Sequence, residues 1–230
     1  PLVSQLNKEA IRSLEKVINV SMRSLDDFVD SLERLLEKFS KCVAVTASFQ
    51  PEESFPKPDD QEVKKAFRKL LNGTELTAIE RHIVSSFTLR EVLNIAEKSG
   101  LVFQIMLGIR RPVSGAAPPD YAITGLETHT VSAFCSLFSE FKDLRFDTFT
   151  ANPLLSHELT VVAKNYPNVH VSGYWWYAFY PTFIKQFLRE RLQMLPRNKP
   201  NGFFSDAYVV EWSYTKSVMV RLQVATVLTE

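Results

Sequence analysis

The residue best placed to do chemistry is Asp206, which follows an apolar segment, 202–205, that the sequence predicts as a strand. The phenylalanines of that segment would partly desolvate the carboxylate, which suits a general base, or a metal ligand if a cation is present. The alternative is structural, because aspartate is favoured just before a helix and a helix is predicted to begin near residue 208. Spacing alone leaves both interpretations open and slightly favours the cap.

Two arginines, Arg110 and Arg111, follow another predicted strand, 101–107. Together they would clamp the carboxylate of a small acid, because a guanidinium binds a carboxylate in a bidentate manner. The alternative is a solvated pair that contributes little. Asn152 occupies the corresponding position after a third predicted strand, 145–150, and is a further candidate for substrate binding.

Aromatic residues fill the segment 174–177, directly after a fourth predicted strand, 169–172. Trp175 and Trp176 would line a sugar or acid pocket and offer indole N–H donors. Packing in the core is the more frequent use of such residues, so that alternative stays open.

The candidates follow strands that alternate with helices along the chain, a pattern typical of βαβ units and a parallel sheet. In such folds, ligands bind at the carboxyl ends of the strands. The predicted strands cover 42–48, 101–107, 145–150, 169–172 and 202–205. The predicted helices cover 4–20, 25–40, 61–72, 77–100, 129–141, 154–165, 181–195 and 209–230, with Ser24 and the Thr77–Glu80 pair as caps.

Composition excludes several classes of protein. The chain has 230 residues, 45% of them hydrophobic, and its formal charge is +1, which gives no reason to expect a nucleic-acid or membrane partner. Cys42 and Cys135 cannot form a disulfide scaffold and favour a cytoplasmic location. The four histidines show none of the spacings of a metal-binding motif; they are His82, His129, His157 and His170.

Several segments resemble the uronate (glucuronate) isomerases, a branch of the amidohydrolase superfamily built on a (β/α)8 TIM-type barrel. The most specific are Val-Ser-Gly-Tyr-Trp-Trp-Tyr at 171–177 and Gly-Phe-Phe-Ser-Asp-Ala at 202–207. Further similarity lies at 103–105 with Gly108 and Arg111, at 152–153, at 194–199 and at 213–216. The resemblance implies interconversion of an aldo- and a keto-hexuronate, of the glucuronate and fructuronate type, by proton transfer between C1 and C2.

Carried over by position, the resemblance implies that Asp206 is a metal ligand and candidate proton-transfer base. Trp175 or Trp176 matches a pocket tryptophan, and Arg111 matches an arginine that contacts the substrate. The cofactor implied is a divalent metal, with zinc as the expected ion. The superfamily takes its first two metal ligands from a His-x-His motif, which is absent from the chain.

Four positions depart from the family pattern. Met106 stands where the family has histidine, Leu154 and Tyr208 stand where it has arginine, and Lys216 replaces another arginine. Losing these groups removes part of what would fix and polarise an acid sugar. Two alternatives therefore remain: a metal-dependent hydrolase or decarboxylase acting on another small acid, or a catalytically silent relative with a binding role.

We expect the chain to be the C-terminal portion of a single barrel domain, with about strands four to eight present. Residues 1–40 would form a helical segment and residues 41–230 the βα units. The expected ligand is a uronic acid or a related small acid, with no nucleic acid and no membrane, and homo-oligomerisation is left open.

Overall fold

A parallel sheet organises the computed structural model, which describes residues 6–39, 41–117, 120–127, 129–203 and 206–230. The strands are β1 (Ala44–Ser48), β2 (Val102–Leu107), β3 (Ile109–Arg110), β4 (Ile123–Thr124), β5 (Arg145–Thr150), β6 (Val169–Ser172) and β7 (Pro200–Asn201). The helices are α1 (Lys8–Ile18), α2 (Leu25–Lys38), α3 (Asp60–Leu71), α4 (Ala78–Lys98), α5 (Ser132–Glu140), α6 (Ser156–Asn165), α7 (Pro181–Met194) and α8 (Val210–Leu228).

The main sheet has five strands in the order β1-β2-β5-β6-β7, and each adjacent pair is parallel. Neighbours in space are thus successive parallel strands in the chain, as in a (β/α) barrel, where each strand is followed by a crossover before the next. This arrangement confirms the predicted α/β class and parallel sheet. The strands β3 and β4 form a separate antiparallel pair after β2, which the sequence analysis did not predict.

The two faces of the sheet differ in chemistry because side chains alternate along each strand. One face carries apolar residues such as Phe103, Ile105, Phe146 and Val171, which are buried in the core with residues of the helices. The other, here called the inner face, carries Thr46, Gln104, Asp147 and His170 in one register row. This row of polar side chains lies on the opposite side of the sheet from the apolar core that the sheet forms with the helices.

Aromatic contacts join the first loop of the sheet to the core. Phe49, directly after β1, lies 5.3 Å from the Phe55 ring and 5.1 Å from the Phe134 ring, both in edge-on geometry. Residues 6–39 join the same core, since Phe28 of α2 lies 5.0 Å from Phe67 of α3. Edge-on pairs of this kind add to the free energy of burial and fix ring orientation.

The helix caps follow the sequence prediction. Ser24 accepts a hydrogen bond from the Asp27 amide, and Thr77 and Glu80 form a reciprocal capping box. Each cap satisfies amides that have no partner within the first turn of the helix. Of the predicted helix 4–20, positions 4 and 5 lie outside the described residues, and the helix runs from Lys8 to Ile18.

The predicted strand 202–205 is wrong in its described part. The last strand is Pro200–Asn201, paired with Val171 and Ser172 of β6, and Gly202 and Phe203 have no strand pairing. The reason is that β6 ends at Ser172, so the chain beyond Asn201 has no neighbouring strand. Positions 204 and 205 lie outside the described residues. No helix in the described part of the chain is long and apolar enough to cross a membrane.

Candidate functional site

The centre of the candidate site is a hydrogen bond between two predicted residues. Trp175 follows β6, and its indole Nε1 donates to Oδ2 of Asp206 at 2.8 Å. The indole is 3% exposed, so this donor is fixed by the protein rather than by solvent. The two residues are 31 positions apart in the chain and meet at the carboxyl edge of the sheet, as the strand-end argument predicts.

The alternative that Asp206 caps the last helix is wrong. The residue at the N-cap of α8 is Val209, which makes no side-chain cap bond, and Asp206 lies three residues earlier. Its carboxylate turns instead to Trp175, because its backbone adopts the left-handed conformation with φ of 41°. This excludes the cap role, and the Asp206 carboxylate is available for a chemical role.

Lys216 holds the backbone of Asp206 from the first turns of α8. Its Nζ donates to the Asp206 carbonyl oxygen at 2.8 Å and lies 5.3 Å from the ring centre of Phe179 and 5.6 Å from that of Trp212. The lysine that departs from the family pattern therefore positions Asp206 and brings a positive charge to the same edge.

A wall of aromatic rings continues from Trp175. Its ring lies 5.7 Å from that of Trp176, which in turn stacks on Tyr177 at 5.4 Å. Trp175 also packs with Ile109 and Ala151, so it belongs to a small apolar cluster as well as to the site. Packing of Trp175 in the core is thus confirmed, while its predicted role in lining a substrate pocket stays a prediction.

The two arginines have different surroundings. Arg110 lies between two carboxylates, with Nη2 at 2.7 Å from Glu127 and 3.5 Å from Glu52. Arg111 is exposed, and its guanidinium carbon lies 5.6 Å from the centre of the Trp176 ring. Within the described ranges no carboxylate forms an ion pair with Arg111, which makes it, and not Arg110, the available cation beside the aromatic wall.

Asn152 connects the loops at this edge. Its Nδ2 donates to the Gly125 carbonyl at 3.1 Å, and its Oδ1 accepts from the Leu154 amide at 3.0 Å. It also crowds Gly108, where φ is +89° and an added Cβ would lie 2.8 Å from the Asn152 backbone nitrogen. These contacts give Asn152 a bracing function, and its predicted contact with substrate stays a prediction.

The departures from the family pattern fall into two groups. Met106 is half-buried and packs against the cluster that contains Trp175, so an apolar thioether lines the inner side of the site. Leu154 and Tyr208 are 72% and 78% exposed, so their side chains lie largely in solvent. The site is therefore less polar at Met106 than the resemblance implies.

The donors present do not make a metal site by themselves. Among the described residues no group of three His, Cys, Asp or Glu side chains could hold an ion. Asp206 supplies one carboxylate, whereas catalytic zinc sites take three protein ligands. A metal at Asp206 therefore requires further ligands from outside the described part of the chain.

The sequence analysis missed a second carboxylate, on the inner face. Asp147 accepts hydrogen bonds from Ser172, from Asn201 at 3.3 Å and from Gln104 at 3.3 Å. Burial raises the pKa of Asp147, although the three donors oppose this shift. Its side chain borders a recess of about 570 Å³ that also reaches His170 and Cys42. An aspartate between two phenylalanines in a predicted buried strand was the available signal.

Comparisons with known proteins agree with this architecture. The glucuronate isomerase family model matches residues 4–126, which include Arg110 and Arg111 but neither Trp175 nor Asp206. No curated protein matches the chain. The fold is similar to that of a uronate isomerase from Thermotoga maritima, with a TM-score of 0.85, 19% identity and 96% of this chain covered.

Two other solved structures show the same fold. A uronate isomerase from Bacillus halodurans gives a TM-score of 0.77 at 22% identity over 99% of this chain, and a glucuronate isomerase from Caulobacter crescentus gives 0.80 at 17% over 96%. The chain spans about half the length of these proteins, with 51%, 49% and 48% of each covered. Because the family model matches more than half of its residues, the chain belongs to the glucuronate isomerase family.

Proposed function

We propose that the protein containing this chain interconverts an aldo- and a keto-hexuronate, of the glucuronate and fructuronate type, by proton transfer between C1 and C2. The observation that carries the proposal is the hydrogen bond from Trp175 to Asp206, which places a carboxylate at the carboxyl edge of the sheet in a family of uronate isomerases.

In this proposal Asp206 moves the proton. One carboxylate oxygen, Oδ2, is held by the indole N–H, and within the described residues Oδ1 has no hydrogen-bond partner. In the direction from aldose to ketose, an oriented carboxylate with a free oxygen can accept the proton from C2 and return it to C1, while the C2 hydroxyl proton moves to the C1 oxygen. Lys216 helps to hold this carboxylate in place, because its Nζ donates to the Asp206 carbonyl oxygen at 2.8 Å.

Arg111 and the two tryptophans bind and orient the substrate. The guanidinium of Arg111 would contact the carboxylate or hydroxyls of the uronate, since it has no carboxylate partner of its own in the described ranges. Trp176 and Trp175 would form the wall on which the sugar chain lies. Asn152 is retained as a predicted contact, whereas Arg110 is already neutralised by Glu127 and Glu52.

A divalent metal, with zinc as the expected ion, belongs to the proposal as a group held partly by Asp206. When bound, such an ion polarises a carbonyl or hydroxyl oxygen of the substrate. We further propose that the chain supplies the C-terminal portion of one barrel domain and that the protein works in the cytoplasm. The exposed, unpaired Cys42 and the half-buried, unpaired Cys135 support that location.

The test is a turnover assay of the protein with D-glucuronate and D-galacturonate, for the wild type and for D206N. We expect turnover of at least one uronate and a loss of about 1,000-fold in D206N, because general base catalysis contributes on this order. The matched control is D143N, an exposed aspartate away from the site, which keeps wild-type activity.

Three results would contradict parts of the proposal. Full activity of a folded D206N protein excludes Asp206 as the base. Turnover of another small acid but no uronate favours the hydrolase or decarboxylase alternative, which the apolar Met106 beside Trp175 would suit. Binding of a uronate without turnover identifies a catalytically silent relative.

A further inference from the structure

The backbone of Arg111 is held by a side chain from a distant part of the chain. Gln50, which follows β1, donates from Nε2 to the Arg111 carbonyl oxygen at 2.9 Å, and its Oε1 accepts from the Arg111 amide at 3.4 Å. Arg111 has no neighbouring strand, because β3 ends at Arg110. The side-chain amide of Gln50 donates and accepts the two backbone hydrogen bonds that such a strand would provide.

Gln50 is itself rigidly placed. Its backbone amide donates to Oε1 of Glu53 at 2.9 Å, and the amide of the preceding residue, Phe49, donates to the Met106 carbonyl at 3.0 Å. Phe49 is 1% exposed and anchored among aromatic rings of the core. The position of Gln50 is thus fixed by the sheet and by the core. Its two hydrogen bonds in turn hold the backbone of Arg111.

The contact matters because the rest of Arg111 has few constraints. Its side chain is exposed, and its contact with Trp176 is a cation–π approach at 5.6 Å rather than a directed hydrogen bond. Such approaches are weak at exposed sites, where water solvates the cation. To bind a substrate carboxylate through two hydrogen bonds, the guanidinium must be well oriented, and this requires a fixed backbone at Arg111.

From these contacts we infer that Gln50 is a positioning residue that holds the Arg111 backbone so that its guanidinium faces the substrate carboxylate beside Trp176. This inference rests on the proposed function, in which Arg111 contacts the uronate. Gln50 touches no reacting atom and acts through Arg111 alone.

The first arm of the test is hydrogen exchange of the Arg111 amide, which does not depend on activity. Q50M keeps the length of the side chain and removes both hydrogen bonds, so exchange in a peptide spanning 109–113 should accelerate about 10-fold. The control is Q61M on the exposed first turn of α3, which leaves exchange in this peptide unchanged. Unchanged exchange in a folded Q50M protein overturns the inference.

The second arm is a double-mutant cycle on steady-state kinetics with the uronate that the protein turns over. Q50M should raise KM about 10-fold with a smaller change in kcat, and R111M should raise it at least as much. In the double variant the two effects should not add, because Gln50 works only through Arg111. Additive effects, or a KM unchanged by Q50M while R111M raises it, overturn the inference and leave the proposed function intact.

The two arms separate the inference from the function on which it rests. Faster exchange in Q50M together with no uronate turnover by the wild type supports Gln50 as the residue that holds Arg111 and overturns the proposed reaction. If R111M leaves KM unchanged, the substrate contact of Arg111 is excluded, and the positioning inference fails with it.

Discussion

Two aspartates, Asp147 on the inner face and Asp206 at the carboxyl edge, show how differently one fold can treat the same side chain. Asp147 is 7% exposed and receives three neutral donors, from Ser172, Asn201 and Gln104. Asp206 is half-buried and receives one, from Trp175. Both oxygens of the Asp147 carboxylate accept hydrogen bonds from neighbouring side chains. The Asp206 carboxylate keeps one oxygen, Oδ1, that has no hydrogen-bond partner among the described residues.

The difference teaches that burial alone does not identify a working carboxylate. A buried acid surrounded by donors that it satisfies is part of the structure, since removing it leaves those donors unpaired. An acid oriented by one donor beside an aromatic wall and a free guanidinium has capacity left for a ligand. Stability should therefore depend on Asp147, and turnover on Asp206.

The largest effect on stability is expected for D147L. The substitution leaves donors of Ser172, Asn201 and Gln104 without their acceptor, and we expect the free energy of unfolding to fall by about 3 kcal/mol. Urea denaturation of the wild type and the variant measures this loss. D147N, which keeps one acceptor oxygen, should lose less than half as much. Wild-type stability in D147L would show that the two aspartates do not differ in the way described.

A smaller effect is expected for Glu53, whose carboxylate holds the Gln50 amide. Burial raises the pKa of Glu53 from its ordinary value of 4.5 to about 7. The folded protein therefore keeps a proton that the unfolded chain releases between these values, so stability falls as pH rises from 4.5 to 7 and levels off above.

The corresponding variant is E53Q, which retains the acceptor oxygen and cannot ionise. Thermal unfolding should show it to be about 2 kcal/mol more stable than the wild type at pH 8, with this advantage vanishing near pH 4. The control is E75Q, an exposed glutamate in the loop between α3 and α4, which should show no such gain. An advantage of E53Q that does not change with pH would exclude ionisation as its cause.

The smallest effect is expected at the contact that orients Asp206. W175F removes the indole N–H and keeps an aromatic ring in the cluster with Ile109 and Ala151. Loss of one hydrogen bond to a carboxylate should lower kcat/KM about 5-fold, equivalent to about 1 kcal/mol. Y214F, at an exposed tyrosine of α8, is the comparison variant, and a similar loss there would show that Trp175 has no specific role.

Much of the fold follows from local pattern. The bounds of β5 and β6 agree with the sequence prediction, because each is a short run rich in β-branched or aromatic residues and is followed by turn residues. The caps at Ser24 and Thr77 agree because a cap depends on residues three positions apart. The sequence prediction failed where a strand depends on a distant partner. The bounds of β7 are set by the end of β6, and Pro200 gives no local signal because proline is disfavoured in strands.

The site shows the same division. That Asp206, Trp175 and Arg111 come to one edge follows from the rule for parallel sheets, which needs only the order of strands. The partner of each was not predictable from the sequence: the cap alternative for Asp206 is excluded by the structure, in which the N-cap of α8 is Val209, three residues later. Gln50 left no signal, because its contact with Arg111 spans 61 residues and an amide side chain fits many surroundings.

Gly108 sets a rule for recognising distant relatives. Its φ of +89° and the approach of Asn152 leave no room for a Cβ, whatever reaction the protein performs. Selection on this glycine therefore acts through assembly of the loops rather than through chemistry. In relatives that have lost turnover, we expect substitutions at Asp206, whereas Gly108 and Asn152 should remain unchanged.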